Sequence, residues 1–261
     1  MANTPTSAIR STVRWTFSGQ RSVALVAVLI VGVDIALGLV HLLVMALFDA
    51  PNLWRVDMDG SYGEAFQYVK YVWVLALVIV YARQARNWPM VAWVPLIVYF
   101  LLDDSVQFHE LIGYWYSTQP WSFGISVVSA ETLGELAASA AFGLVLLIPL
   151  VIGYLKGDAR TRWIFRVMAV ILAVLLVFAV VIDVLHSLVV DIRILDRGIG
   201  FAEDFGEMLA LSALVLFVFR LNVSGGERGF ATPPAGVASG VAERSAADSN
   251  PAVVARSRHA S

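Results

Sequence analysis

The sequence predicts an all-α fold: a polytopic membrane bundle of six transmembrane helices, arranged as three repeated two-helix hairpins. Three observations predict it. Of the 261 residues, 59% are hydrophobic and 15% charged, with a mean hydropathy of +0.77. A water-soluble domain carries about a quarter charged residues, so this chain could not cover a water-facing surface. Six apolar stretches reach the roughly 20 residues needed to cross a hydrocarbon core about 30 Å thick. The charges that do occur are segregated along the chain. Cysteine is absent, which excludes disulfides, thiolate metal sites and Cys nucleophiles.

The first stretch, about 22–48, is too long for the apolar core of a cleaved signal and carries Asp34 and His41, so it reads as a retained helix. Residues 1–21 read as a cytoplasmic N-terminal segment. The remaining stretches run about 62–82, 91–113, 127–154, 164–190 and 200–220, which gives hairpins at about 22–82, 91–154 and 164–220 within one transmembrane domain, 22–220. Beyond it the chain turns to Ser-Gly-Gly, Pro233-Pro234, then Ala, Ser and Arg. That composition cannot bury a core, so 221–261 reads as a disordered cytoplasmic tail.

Lys and Arg set the expected orientation. The segments before the first helix, between the second and third, between the fourth and fifth, and after the sixth hold fourteen of the eighteen. The other connections hold Arg55, Arg193 and Arg197, and Lys70 lies within the second helix. This bias places both termini in the cytoplasm. Trp54, Trp115 and Trp121 on one side, and Trp88, Trp93 and Trp163 on the other, mark the two interfaces.

The pairs Gly63-Glu64, Gly134-Glu135 and Gly206-Glu207 each open an even-numbered helix, with the glutamates 71 and 72 residues apart. The preceding odd helices carry Asp34 with His41, Asp103 with Glu110, and Asp183 with His186. Together these predict an internal repeat of three hairpins inserted in one direction. A plainer reading fits Glu64: an acid in a first turn complements the helix dipole, and Gly lets helices approach.

Fourteen acidic and imidazole residues within the spans fall at the central or outer level. Eleven are acids: Asp34, Glu64, Asp103, Asp104, Glu110, Glu131, Glu135, Asp183, Glu203, Asp204 and Glu207. The bases are His41, His109, His186 and Lys70, the last either an internal counter-ion or a snorkelling side chain. Asp34 and His41 (i, i+7), Asp103, Gln107 and Glu110 (i, i+4, i+7), Glu131 and Glu135, Glu203 and Glu207 (i, i+4), and Asp183 and His186 (i, i+3) each share a helix face. Asp104, His109 and Asp204 lie off these stripes. Charge facing lipid is costly, so the shared faces point into the bundle. Acids that close cannot all ionise; protons or cations must compensate them.

Carboxylates with imidazoles, converging from several helices, are the ligand set of Zn, Fe or Mn. The expected metal ligands are Asp34, His41, Asp103, Glu110, Glu135, Asp183, His186 and Glu207. Glu64, Glu131, Glu203 and His109 are candidates for acid–base roles. The expected function is an outward-facing intramembrane site for a divalent or transition metal, in a possible metal-dependent membrane enzyme. Membrane lipids are its surroundings, and a lipid-like or small molecule from the outer leaflet is its expected ligand. A cation- or proton-coupled transporter would use the same acids, although the inner halves of the spans are apolar. A non-catalytic sensor or assembly subunit is the third reading. No GxxxxGK[ST] loop occurs, and the basic residues are not interleaved with aromatics for stacking, so nucleic acid is not an expected partner.

The segment Leu101-Leu102-Asp103-Asp104-Ser105-x-Gln107-x-His109-Glu110, with Phe66-Gln67-Tyr68-Val69-Lys70 before it and Glu203-Asp204-x-Gly206-Glu207 after it, resembles a group of uncharacterised six-helix bacterial membrane proteins over about residues 50–220. The resemblance implies a bacterial cytoplasmic membrane and no particular activity. Intramembrane metal hydrolases related to alkaline ceramidases use more histidines on seven helices, and no Ser…His spacing here matches theirs.

Overall fold

A computed structural model describes residues 5–17, 21–47, 52–125, 128–187 and 192–224. They fold as helices: α1 (Pro5–Phe17), α2 (Arg21–Leu47), α3 (Tyr62–Gln84), a 3₁₀ segment Trp88–Trp93 running into α4 (Val94–Val106), α5 (Phe108–Ser117), α6 (Ala130–Lys156), α7 (Ala159–Leu176), a π turn Val177–Ile182, α8 (Asp183–Ser187) and α9 (Arg193–Ser224). Among the described residues no strand forms. Six segments are long and apolar enough to cross a membrane: Arg21–Leu47, Tyr62–Gln84, Trp88–Val106, Ala130–Lys156, Ala159–His186 and Arg197–Ser224. The chain is an all-helical, multi-pass membrane protein.

Local chemistry sets the helix ends. Ser61, Ser129 and Asp158 accept hydrogen bonds from the backbone N–H groups of Glu64, Thr132 and Thr161, capping α3, α6 and α7. Pro89 and Pro95 sit in the first turns of the 3₁₀ segment and of α4, where a missing N–H costs nothing.

α9 is the hub of the bundle. Of its most apolar window 61% is buried, against 11% for α6. Leu211, Leu214, Val218 and Leu221 of α9 meet Tyr71, Val74 and Val78 of α3 and Met168 and Leu175 of α7 in one core. Leu25, Val28 and Leu29 of α2 and Leu144, Val145 and Ile148 of α6 face outward. An apolar surface of that extent needs a lipid solvent.

Two features depart from the sequence reading. The third stretch, expected as one helix over 91–113, is broken at Gln107, whose φ of 53° and ψ of 47° are left-handed. The membrane-crossing part is Trp88–Val106, and α5 turns aside to lie along α6. There the backbones nearly touch: a Cβ on Gly134 would stand 2.9 Å from the Gly113 Cα. The N-terminal segment, read from the sequence only as cytoplasmic, also contains the helix α1. In α1, Ile9, Val13 and Phe17 form an exposed stripe at i, i+4, i+8, beside Arg10 and Arg14. At 13 residues and 1.5 Å per residue α1 cannot span; its pattern suits a helix lying in the interface. Trp15 anchors it edge-on to Trp163 at 5.3 Å.

The three hairpins are not packed alike. α2 is continuous, α4 and α5 are split by Gln107, and α7 and α8 are separated by the π turn; α9 is central whereas α6 is peripheral. The proposed tail from 225 onward and the connection at 188–191 lie outside the described residues.

Candidate functional site

The ionisable residues of the spans divide into a sealed ion pair and an acid-rich cluster. The ion pair is deepest. Lys70 of α3 is fully buried and donates to Asp34 Oδ1 of α2 at 2.6 Å and to the Met208 carbonyl of α9 at 2.9 Å. Its ammonium also stands 4.6 Å from the centre of the Phe66 ring, a favourable cation–π geometry. Ser212 donates to Asp34 Oδ2 at 2.5 Å. Both carboxylate oxygens are thus satisfied, and Lys70 is an internal counter-ion that does not snorkel. The sequence put Asp34 in a metal set; here Lys70 already neutralises it.

His41, two turns along the buried face of α2, is also committed. Its Nδ1 accepts the Val56 N–H at 3.2 Å, so its proton belongs on Nε2. Its ring stacks on Phe201 with centroids 5.0 Å apart. It pins the 52–61 connection to the bundle, near Asp57, which Arg55 holds at 2.7 Å.

The cluster is built where α3, α4 and α9 meet. Asp103 is buried and accepts the His109 backbone N–H at 3.0 Å, while its other oxygen lies 3.1 Å from His109 Nδ1. The left-handed turn at Gln107 makes this possible: residues six apart on an unbroken helix face away from each other. It also removes the expected Asp103–Gln107–Glu110 stripe. Gln107 instead donates to Asp59 at 2.8 Å, and Glu110 is exposed in the first turn of α5. His109, which lies off the helical stripes, is the residue that holds Asp103.

Tyrosines to which the sequence reading gave no role line the same region. Tyr71, 2% exposed, reaches the Asp104 carboxyl with its hydroxyl and lies within electrostatic range of Asp103 and of Glu207 from α9. Tyr99 faces Asp103 and Ser139. Tyr68 donates to Glu64 and to the Asp104 carbonyl, the latter at 3.1 Å. The signal was present: Gln67, Lys70, Tyr71 and Val74 follow helical spacing on the buried face of α3.

The remaining predicted residues are placed as follows. Glu64 accepts from the Gly60 N–H while its own N–H donates to Ser61, close to a capping box; the plain reading holds for it. Glu131 is exposed in the first turn of α6. Glu135 lies against Gly113, with its Cγ 2.5 Å from where a Gly113 Cβ would sit, and within electrostatic range of His109. His186 Nδ1 is 3.1 Å from Glu203 Oε2. Asp204 lies within electrostatic range of Glu203, Asp57, Asp59 and Glu64. The Asp183 side chain lies outside the described residues.

The eight expected ligands are therefore not drawn to one point. Among the described residues no three His, Asp or Glu side chains are disposed to hold a metal ion. What the structure brings together is the Asp103–His109 pair with Asp104 beside it on α4, and Glu207 of α9 within electrostatic range of Tyr71. Their arrangement can bind protons or attract a cation.

No match is found among curated proteins or among solved structures. A family model described as a domain of unknown function (DUF8692) matches residues 21–221, which takes in all six spans and the acidic cluster, and the chain belongs to that family.

Proposed function

We propose that this is a multi-pass protein of a bacterial plasma membrane, with cytoplasmic termini, whose acid-rich end forms an outward-facing carboxylate–imidazole site for a cation. The cation is a proton or a divalent metal that keeps part of its water shell, as Mg²⁺-like ions do. The buried Asp103–His109 pair, with Asp104 beside it and Glu207 within electrostatic range of the neighbouring Tyr71, carries this reading. Lys70, the one lysine of the spans' interior, is held by Asp34 and cannot neutralise them as well.

A dehydrated, fully protein-ligated metal centre is the weaker form of the reading, because no three-ligand group is found among the described residues. His109 is backed by Asp103 and His186 by Glu203. That carboxylate–imidazole pattern orients the other ring nitrogen for a metal when one binds. Transport is less well supported. Toward the basic end the core is filled by Val78, Met168, Leu214, Val218 and Leu221, which offer no polar steps to a crossing ion.

The test is equilibrium dialysis of the purified protein against Mn²⁺, Zn²⁺ or Ca²⁺, followed by elemental analysis. Saturable binding of one ion that falls at least tenfold in Asp103→Asn and Glu207→Gln is expected. Binding of none of them, with no proton exchange on titration either, would refute the reading.

A further inference from the structure

A second polar site lies at the opposite, basic end of the bundle, independent of the acidic cluster. A cleft of about 350 Å³ opens between the α3–α4 connection and the start of α7. Arg86, Lys156 and Arg160 line it, against a single carboxylate, Asp158. That carboxylate accepts the Thr161 N–H at 2.7 Å and lies within electrostatic range of Arg160, so it offsets only part of the positive charge. The cleft is held open by structure: Arg86 adopts a left-handed φ of 50°, and Asn87 donates to the Thr161 hydroxyl at 2.8 Å, tying the two connections together.

Tyr81 supplies the second, independent observation. It lines the cleft and is 2% exposed; the Asn87 amide stands near its hydroxyl as a donor, but the hydroxyl's own proton has no acceptor. Burying such a donor without an acceptor costs about 1–3 kcal/mol, so a ligand oxygen is the missing acceptor. The Arg160 guanidinium lies within electrostatic range of the same hydroxyl. Three cations and a phenol O–H around one cleft match a tetrahedral dianion or monoanion rather than a carboxylate, which presents only two oxygens. Basic pockets between helices at the inner face of a membrane take phosphorylated head groups. Trp88, 65% exposed beside the cleft, suits the headgroup level.

We propose that this cleft is a phosphate site, taking the phosphate of an ester anion between Arg86, Lys156, Arg160 and the Tyr81 hydroxyl. The shared chemistry has two sources, an anionic lipid headgroup and a soluble phosphate, and the experiment separates them. The full-length protein in neutral detergent is offered phosphatidylglycerol, phosphatidylcholine or inorganic phosphate, and retention by native mass spectrometry and the melting temperature are read.

Phosphatidylglycerol is retained in preference to phosphatidylcholine, and the Arg86→Gln, Lys156→Gln double variant lowers that retention about tenfold. Both side chains are exposed, so the variant keeps the ligand-free melting temperature. Tyr81→Phe weakens retention as well, while the ligand-free protein melts no lower, because a buried hydroxyl without an acceptor is removed. Stabilisation by inorganic phosphate that is lost in the double variant assigns the site to a soluble phosphate; stabilisation by the lipid alone assigns it to the headgroup. Equal retention of both lipids with no effect of phosphate overturns the proposal, and so does a preference that survives the double variant and Tyr81→Phe.

Discussion

Lys70 ties three helices of the bundle together. It joins α2, α3 and α9 through Asp34, the Met208 carbonyl and, by way of the same carboxylate, Ser212. Removing one partner of a buried pair leaves the other charge uncompensated, at about 3–5 kcal/mol, whereas removing both is far milder. Lys70→Met is expected to lower the detergent melting temperature strongly, and Asp34→Leu in the same chain to restore most of the loss; a thermal-unfolding double-mutant cycle checks it. Asp158 sets a smaller pH dependence. Partial desolvation alone would raise its carboxyl, but the Thr161 hydrogen bonds, with Arg160 and Arg162 nearby, outweigh it and hold it below the usual carboxylate range. The contribution of this cap is therefore complete above the unfolded value near pH 4 and fades as pH falls through the lower folded value. Asp158→Ala should cost about 1 kcal/mol at neutral pH and nothing once the wild-type carboxyl is protonated, as melts at several pH values will read.

At the scale of elements, glycines decide how closely helices meet. A Cβ on Gly134 would stand 2.9 Å from the Gly113 backbone, while one on Gly143, in the same helix, meets nothing within 4 Å. Gly134→Ala should destabilise by about 1–3 kcal/mol, and Gly143→Ala should be neutral or stabilising by up to about 1 kcal/mol. Equal effects, measured by thermal unfolding, would contradict the α5–α6 contact. The six spans were legible in the sequence because roughly 20-residue apolar runs have no other use. The break at Gln107 was not, since Ser105-Val106-Gln107-Phe108 holds no Gly or Pro to announce it. That turn also decides the cluster: it brings His109 to Asp103 and sends Glu110 outward. Equal spacing of the Gly-Glu pairs gave no warning that α9 would be buried and α6 peripheral, because spacing along a chain carries no information about which helix the others surround. Glu64 was readable as a first-turn acid, and it lies in the first turn of α3, where Ser61 caps its N–H.

Over the whole molecule, charge is sorted to two ends with an apolar core between them. The acid-rich end gathers carboxylates from α3, α4, α6 and α9, and the basic end carries Arg83, Arg86, Lys156, Arg160 and Arg162 around the Trp15–Trp163 contact. The sequence located the acids at one level but could not pair them. Ion pairs such as Lys70 with Asp34, 36 residues apart, depend on which helix faces which. The central proposal is that the Asp103–His109 pair, with Asp104 and Glu207 nearby, binds a cation. Calorimetric titration with Mn²⁺ or Zn²⁺ at pH 7, in two buffers of different ionisation enthalpy, reads this directly by counting protons displaced per ion bound. Saturable binding with about one proton or more released, abolished in Asp103→Asn and Glu207→Gln that still melt cooperatively, is the expected result. Binding that displaces no proton and is indifferent to both substitutions would contradict it.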